Sequence, residues 1–218
     1  MNKKGFIFDL DGVIVDTAKY HFLAWQQLAK SLDIEFTEEE NEQLKGVSRV
    51  RSLEKILAWG NKTISQELFD DLMAKKNEEY LGYIAEMDDR EMLPDVPRVL
   101  NFLKAHKQPI SLGSASKNAR TILERINIMS DFDAIVDGND VTKAKPDPEV
   151  FLIAAKELHM SPEDCIVFED SVAGVTAANT ANMISIGIGS KDVLGHAHYV
   201  FNDFTEISDD FIKSLIEK

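Results

Sequence analysis

Two carboxylates, Asp9 and Asp11, stand two residues apart, after the apolar run Phe6-Ile7-Phe8 and before Gly12. A carboxylate fixed at a strand end can attack phosphorus and form an aspartyl phosphate. A second one, two residues on, points the same way and reaches further over the edge. It can trade a proton with the attacking or the leaving oxygen. Another apolar run, Ile166-Val167-Phe168, ends in Glu169-Asp170-Ser171. Acids brought together repel one another unless a hard cation offsets them, and Mg2+ binds through one or two carboxylates and phosphate oxygens. The stretch Gly113-Ser114-Ala115-Ser116-Lys117-Asn118 offers a serine and backbone N–H groups at a helix start, which cradle phosphate. Lys145, in Lys143-Ala144-Lys145-Pro146-Asp147-Pro148, can offset charge on the equatorial oxygens during transfer.

Each signal alone has a plainer reading. DxDG also occurs in calcium loops, although the rest of an EF-hand loop is missing here. Asp170 or Ser114 could simply cap a helix, and Lys145 could be a solvated loop lysine. The order and company of the groups argue against four separate accidents.

Positioning them requires strands that end close together. Short apolar runs predict strands at 5–10, 110–113, 134–136, 166–168 and 184–188. Amphipathic patterns between them predict helices near 96–105, 118–126, 148–158 and 172–181. Such alternation implies a parallel sheet covered on both faces, with ligands beyond the carboxyl ends of the strands. Residues 16–91 break the rhythm, with helical patterns at 16–32, 50–58 and 65–84. The expected organisation is a core of residues 1–15 and 92–218 with a helical domain, 16–91, inserted after the first strand.

The chain has 218 residues, 44% of them hydrophobic, and a net charge of −14, which fits a globular protein and argues against nucleic acid or anionic membrane as partner. No apolar run approaches spanning length, and the N-terminal run is too short for a signal peptide. The lone cysteine, Cys165, sits in an apolar run and fits a reducing cytoplasm.

The stretches FIFDLDGVIVDT, LGSASKN, KAKPDP and FEDSVAGVTAA resemble the four motifs of the haloacid dehalogenase superfamily over nearly the whole chain. The resemblance implies a Rossmann-like α/β core with an inserted α-helical cap. It implies Asp9 as nucleophile, Asp11 as general acid/base, and Ser114 and Lys145 as phosphate contacts. Mg2+ would be held by Asp9, Asp170 and the backbone carbonyl of Asp11, with Glu169 as a ligand or in support of one. The second aspartate sets the chain apart from the dehalogenase branch, which lacks it and needs no metal. Lys145, directly before Pro146-Asp147-Pro148, is the lysine of the motif and Lys143 is not.

In the predicted cap, DTAKYH and LKGVSR resemble the sugar phosphomutases of this superfamily. The implied reaction interconverts β-glucose 1-phosphate and glucose 6-phosphate through β-glucose 1,6-bisphosphate. His21 would couple cap closure to Asp11. Thr17, Trp25, Lys45, Gly46, Arg49, Ser52 and Lys76 from the cap would meet the substrate, with Ser114, Ala115, Ser116, Lys117 and Asn118 from the core. Arg51 reads as a solvated charge. A monomer acting on a small-molecule sugar phosphate is the expectation, with a cap-gated phosphatase as the alternative.

Overall fold

The computed structural model describes residues 3–44 and 47–217. Six strands form one sheet in the order β3-β2-β1-β4-β5-β6: β1 (Gly5–Phe8), β2 (Ile110–Gly113), β3 (Ala134–Val136), β4 (Cys165–Glu169), β5 (Ile184–Ile188) and β6 (Tyr199–Phe201). Every pairing is parallel. Side chains alternate between the faces, as the strand period of two demands. Phe6, Phe8, Ile166 and Phe168 enter one apolar cluster, and Ile7, Cys165 and Val167 enter the other. Phe8 stacks on Phe168 across the β1–β4 pair with ring centroids 4.6 Å apart.

The helices are α1 (Ala18–Ser31), α2 (Glu38–Glu42), α3 (Arg49–Trp59), α4 (Gln66–Ala85), α5 (Val96–Ala105), α6 (Ala119–Arg125), α7 (Glu149–Glu157), α8 (Val172–Thr180), α9 (Lys191–Leu194) and α10 (Asp209–Glu217). In α5, Val96, Val99, Leu100 and Leu103 recur at helical spacing and are all buried. α7 and α8 pack on the face that carries Ile7 and Val167, whereas α5, α6 and α10 pack on the other.

Helices α1 to α4 lie between β1 and β2 in sequence and surround an apolar cluster of their own, built on Trp25, Leu28, Leu53, Ile56 and Leu72. Side-chain caps define their starts. Ser48 accepts from Arg51 N, Ser65 accepts from Leu68 N, and Thr37 and Glu40 form a reciprocal capping box. The feet of α1 and α4 root in the sheet cluster through Ala24, Tyr80 and Ile84.

Two chain segments join the helical block to the sheet. Val15 and Met92 form an antiparallel bridge, and Leu93 N donates to Ile14 O at 2.9 Å. The predicted first strand overruns by two residues. Leu10 instead opens a tight turn in which its carbonyl accepts from Ile14 N and Val15 N. β6 has no counterpart among the predicted strands, because three half-exposed residues at a sheet edge carry too short an alternation to register.

Candidate active site

The sheet reverses its winding between β1 and β4, and the chemistry gathers there. Asp9 follows β1, and Glu169 ends β4 with Asp170 next to it. Ligands in open α/β sheets sit at such a switch point, outside the carboxyl ends of the strands.

Lys145 ties the floor of the site together. Its ammonium donates to Asp9 Oδ1 at 2.6 Å and to Glu169 Oε2 at 2.7 Å, and it lies 4.8 Å from the centroid of the Phe151 ring. The other Glu169 oxygen, Oε1, accepts from Ser171 N at 3.1 Å and from Ser171 Oγ at 2.7 Å. Both oxygens of Glu169 are thus engaged by the protein itself, which suits a support for Lys145 and the β4–α8 turn.

Burial first, and then the negative charge of Glu169, push the Asp9 carboxyl up to about 7, against the pull of Lys145. Burial works against the ammonium of Lys145, but Asp9 and Glu169 hold it above the ordinary lysine range. One lysine therefore does not balance the acids of this floor.

Asp9, Glu169 and Asp170 each bring an oxygen within 4.8 Å of the others. All are hard donors, the set that suits Mg2+. Gly12 makes room for this cluster. It adopts φ +78°, and a Cβ there would stand 2.1 Å from Asp170 Oδ2. Any side chain at position 12 would displace the Asp170 carboxylate, so the glycine that follows the two acids belongs to the site.

Asp11 does not join the cluster through its side chain. Its Oδ1 accepts from the hydroxyl of Thr17, the fully buried residue that precedes α1. Burial raises the Asp11 carboxyl above the usual carboxylate range, while the Thr17 hydrogen bond and the charges of Lys145 and Lys76 oppose that shift.

Above the floor is a cavity of about 540 Å³, walled on one side by the helical block and on the other by the loops after β1, β2 and β3. Asp9, Asp11 and Asp170 open into it, as do Ala115, Ser116, Lys117 and Asn118. Ser114, Lys145 and Glu169 are buried below its surface. Ser114 Oγ accepts from Ser116 N at 3.1 Å, and Ser116 Oγ accepts from Asn118 N at 3.3 Å, which shapes the loop that faces the cavity.

On the helical side, Lys76 Nζ lies 2.9 Å from His21 Nδ1, 4.7 Å from the Trp25 ring centroid and 4.6 Å from that of Tyr80. When Lys76 carries its charge it can only donate, so Nδ1 then accepts and the ring proton sits on Nε2. Burial, followed by the charges of Lys76 and Arg49, keeps His21 well below its ordinary value and hence neutral. Burial and then Arg49 bring Lys76 down to about 7, against the attraction of Asp11 and Glu79. Arg49, also lowered by burial, lines the cavity and has no ion-pair partner among the described residues. Ser52 lines it too, although its hydroxyl is spent on Ser48 O at 3.1 Å. Lys45 and Gly46 lie outside the described residues.

Sequence reasoning left several wall residues unnamed or set aside. Arg51 and Lys143 border the cavity with largely exposed side chains, and Asn41 lines it from α2. Asn118 Nδ2 donates to Asn77 Oδ1 at 3.1 Å, a direct bond from the β2 loop to α4. Arg51 and Lys143 sit inside stretches already singled out, whereas Asn41 lies in an acidic helix and has no local signature.

Comparison with known proteins places this geometry. The model of the haloacid dehalogenase-like hydrolase family matches residues 3–182. A β-phosphoglucomutase of Bacillus subtilis is 42% identical over 94% of this chain and 92% of its own. A phosphorylated carbohydrates phosphatase of Thermotoga maritima is 29% identical over 81% of each chain. The crystal structure of a β-phosphoglucomutase from Clostridium difficile superposes with a TM-score of 0.94 at 40% identity, covering 99% of this chain and 97% of that one. With an acid pair after the first strand, a lysine-bridged acidic floor and an inserted helical wall, the chain belongs to the haloacid dehalogenase-like hydrolase family.

Proposed function

We propose that this chain is a Mg2+-dependent phosphomutase that interconverts β-glucose 1-phosphate and glucose 6-phosphate. Residues 1–15 and 92–218 would form the transferring core and residues 16–91 the cap. One observation carries the mutase reading. The acid/base candidate, Asp11, rests on Thr17 at the junction with the cap, away from the carboxylate cluster that contains Asp9. A phosphatase gains from an acid that activates water at once. A mutase gains from one that is withheld until sugar fills the cavity and water is excluded.

In this scheme a phosphorylated Asp9 faces the cavity. The 6-hydroxyl of β-glucose 1-phosphate attacks phosphorus, the bond to Asp9 Oδ breaks, and Asp11 takes the hydroxyl proton. The resulting β-glucose 1,6-bisphosphate turns around. Asp9 then attacks the phosphorus on C1, and Asp11 returns the proton to the departing sugar oxygen, leaving glucose 6-phosphate and the aspartyl phosphate. Asp9, Asp170 and the Asp11 carbonyl would hold Mg2+, which when bound offsets the clustered negative charge and polarises the phosphoryl oxygens. Lys145 is placed to share that load, and Ser114 to shape the phosphate loop. Arg49, Lys117 and Asn118 line the cavity where a distal phosphate would lie, and charge-assisted bonds suit it.

The proposed state is a monomer that acts on a small-molecule sugar phosphate. No described helix is long and apolar enough to cross a membrane, and the buried Cys165 fits a reducing cytoplasm. The decisive experiment is phosphorus NMR of products from β-glucose 1-phosphate with Mg2+ and a trace of the bisphosphate. Glucose 6-phosphate should dominate, and Asp9→Asn should abolish it. Faster release of free phosphate than of glucose 6-phosphate would favour a phosphatase, the activity named for the Thermotoga maritima relative.

A further inference from the structure

Between the helical block and the sheet lies a group of side chains that the reaction scheme does not use. Glu91 lies on the second connecting segment, between α4 and α5. Its Oε1 accepts from the Tyr20 hydroxyl at 2.8 Å, and its Oε2 accepts from Lys19 Nζ at 2.7 Å. Both donors are on the first turn of α1. Its backbone carbonyl accepts from Asp16 N at 3.4 Å, on the first connecting segment. Tyr20 also stacks on Tyr83 of α4, with ring centroids 5.9 Å apart.

The placement matters because of what the same turn carries. Thr17 O accepts from Tyr20 N and His21 N, each at 3.0 Å, and the Thr17 hydroxyl holds Asp11. One rigid turn therefore bears the tether of Asp11, the Tyr20 bond to Glu91 and the ring of His21. If that turn rocks relative to the second segment, the Tyr20–Glu91 bond breaks and the Thr17 hydroxyl moves off Asp11. We infer that Glu91 is a positioning residue: by clasping Tyr20 and Lys19 it fixes the resting pitch of α1 and keeps Asp11 parked on Thr17.

The two clasps are unequal. The side chain of Lys19 is 49% exposed and that of Glu91 22%. An ion pair so open to water is screened and contributes little, so the Tyr20 bond carries most of the restraint. Bonds to a charged acceptor are also the stronger kind.

The inference rests on the mutase reading, and its test separates the two. Glucose 6-phosphate and free phosphate are measured in one sample of β-glucose 1-phosphate, bisphosphate and Mg2+. The variants are Glu91→Ala, Glu91→Gln, Tyr20→Phe and Glu91→Ala/Tyr20→Phe, with melting temperatures recorded alongside. Glu91→Ala should lower the ratio of isomerisation to phosphate release about tenfold, because a freed Asp11 activates water. Tyr20→Phe should match it closely. Glu91→Gln keeps an oxygen for Tyr20 and should fall between wild type and Glu91→Ala, and the double variant should be no worse than Glu91→Ala. A lowered melting temperature with an unchanged ratio would reduce Glu91 to a stability clamp and overturn the inference, as would independent, additive losses in the double variant. If Glu91→Ala does not fold, Tyr20→Phe and Glu91→Gln decide by the same ratio. If the wild type makes phosphate and no glucose 6-phosphate, the mutase reading fails. The clasp is then judged by phosphate release alone, which should rise equally in Glu91→Ala and Tyr20→Phe, and equal rates in all variants would reject it.

Discussion

The Thr17 hydroxyl donates to the Asp11 carboxylate, so the acid two residues after Asp9 is held by the residue that precedes the first inserted helix. Replacing the hydroxyl tests what the bond withholds. Thr17→Val keeps the branched shape and removes the donor. It should raise phosphate release about three- to tenfold relative to isomerisation, read by a coupled phosphate assay beside glucose 6-phosphate formation. A variant with both rates lowered in parallel would make Thr17 a packing residue only.

Lys145 spans Asp9 and Glu169, and removing it strands two buried carboxylates. Lys145→Met should cost about 3–5 kcal/mol of stability, the usual result of breaking a buried charge network from one side. Saturating Mg2+ should restore part of that loss and little of the transfer rate. Urea unfolding with and without Mg2+ checks this. Loss that Mg2+ leaves untouched would separate the cation site from the acids that Lys145 serves.

Gly12 makes the acidic cluster possible, so it offers a test of the cation that leaves the carboxylates in place. Gly12→Ala puts a methyl where Asp170 Oδ2 sits, at a backbone φ of +78° that alanine resists. Mg2+ should raise the melting temperature of the wild type, since a ligand at a hundred times its Kd adds about 2.7 kcal/mol. That increment should largely vanish in Gly12→Ala. Equal Mg2+ stabilisation of both proteins would move the cation away from Asp170.

Lys76 titrates near 7 in a wall that includes His21, Arg49, Asp11 and Glu79. Below that pH the ammonium is ready for a phosphate, whereas above it the amine must first take up a proton. Affinity for a phosphosugar should therefore fall with rising pH above 7, by at most tenfold per unit, and Lys76→Met should flatten the trend. Calorimetry in buffers of different ionisation heat should detect proton uptake at pH 8 in the wild type alone. The sign for folding follows from the same shift. The unfolded chain keeps this proton up to about 10.5 and the folded chain only to about 7, so this group makes the folded state more stable as pH rises across that window. Phosphosugar affinity independent of pH from 7 to 9 would remove Lys76 from the binding wall.

The floor of the site was legible because its chemistry is local. Asp9 and Asp170 each stand in a short motif at the end of an apolar strand and Lys145 in a short motif in the loop between β3 and α7, and the strand order then brings the motifs together. The wall was less legible. Lys76 is one of two adjacent lysines in an exposed-looking helix, and its burial between Trp25 and Tyr80 depends on how α1 and α4 pack. Arg51 reads as a solvated charge, and its side chain is indeed largely exposed, with Nη1 on Glu54 at 2.6 Å, although the residue also borders the cavity. Asn41 and the Asn77–Asn118 bond have no periodic or motif signature at all. Spacing encodes what a strand end offers, and packing decides which polar side chains of a helix look inward.

The position of β1 in the middle of the sheet has a consequence for how the chain acquires its shape. Gly5–Phe8 pairs with residues near 110 on one side and near 165 on the other. The strand that leads into Asp9 can therefore complete its pairing only with partners more than a hundred residues further along the chain. The four helices that follow it find their apolar partners within their own stretch, and such local contacts form faster than distant pairings. Pulsed hydrogen exchange during refolding should therefore protect the amides of α1 to α4 before those of β1, and the opposite order would refute this. Assembly of the surroundings of Asp9 would then be among the last events of folding, so a chain halted before residue 165 would hold a finished wall with no acidic floor beneath it.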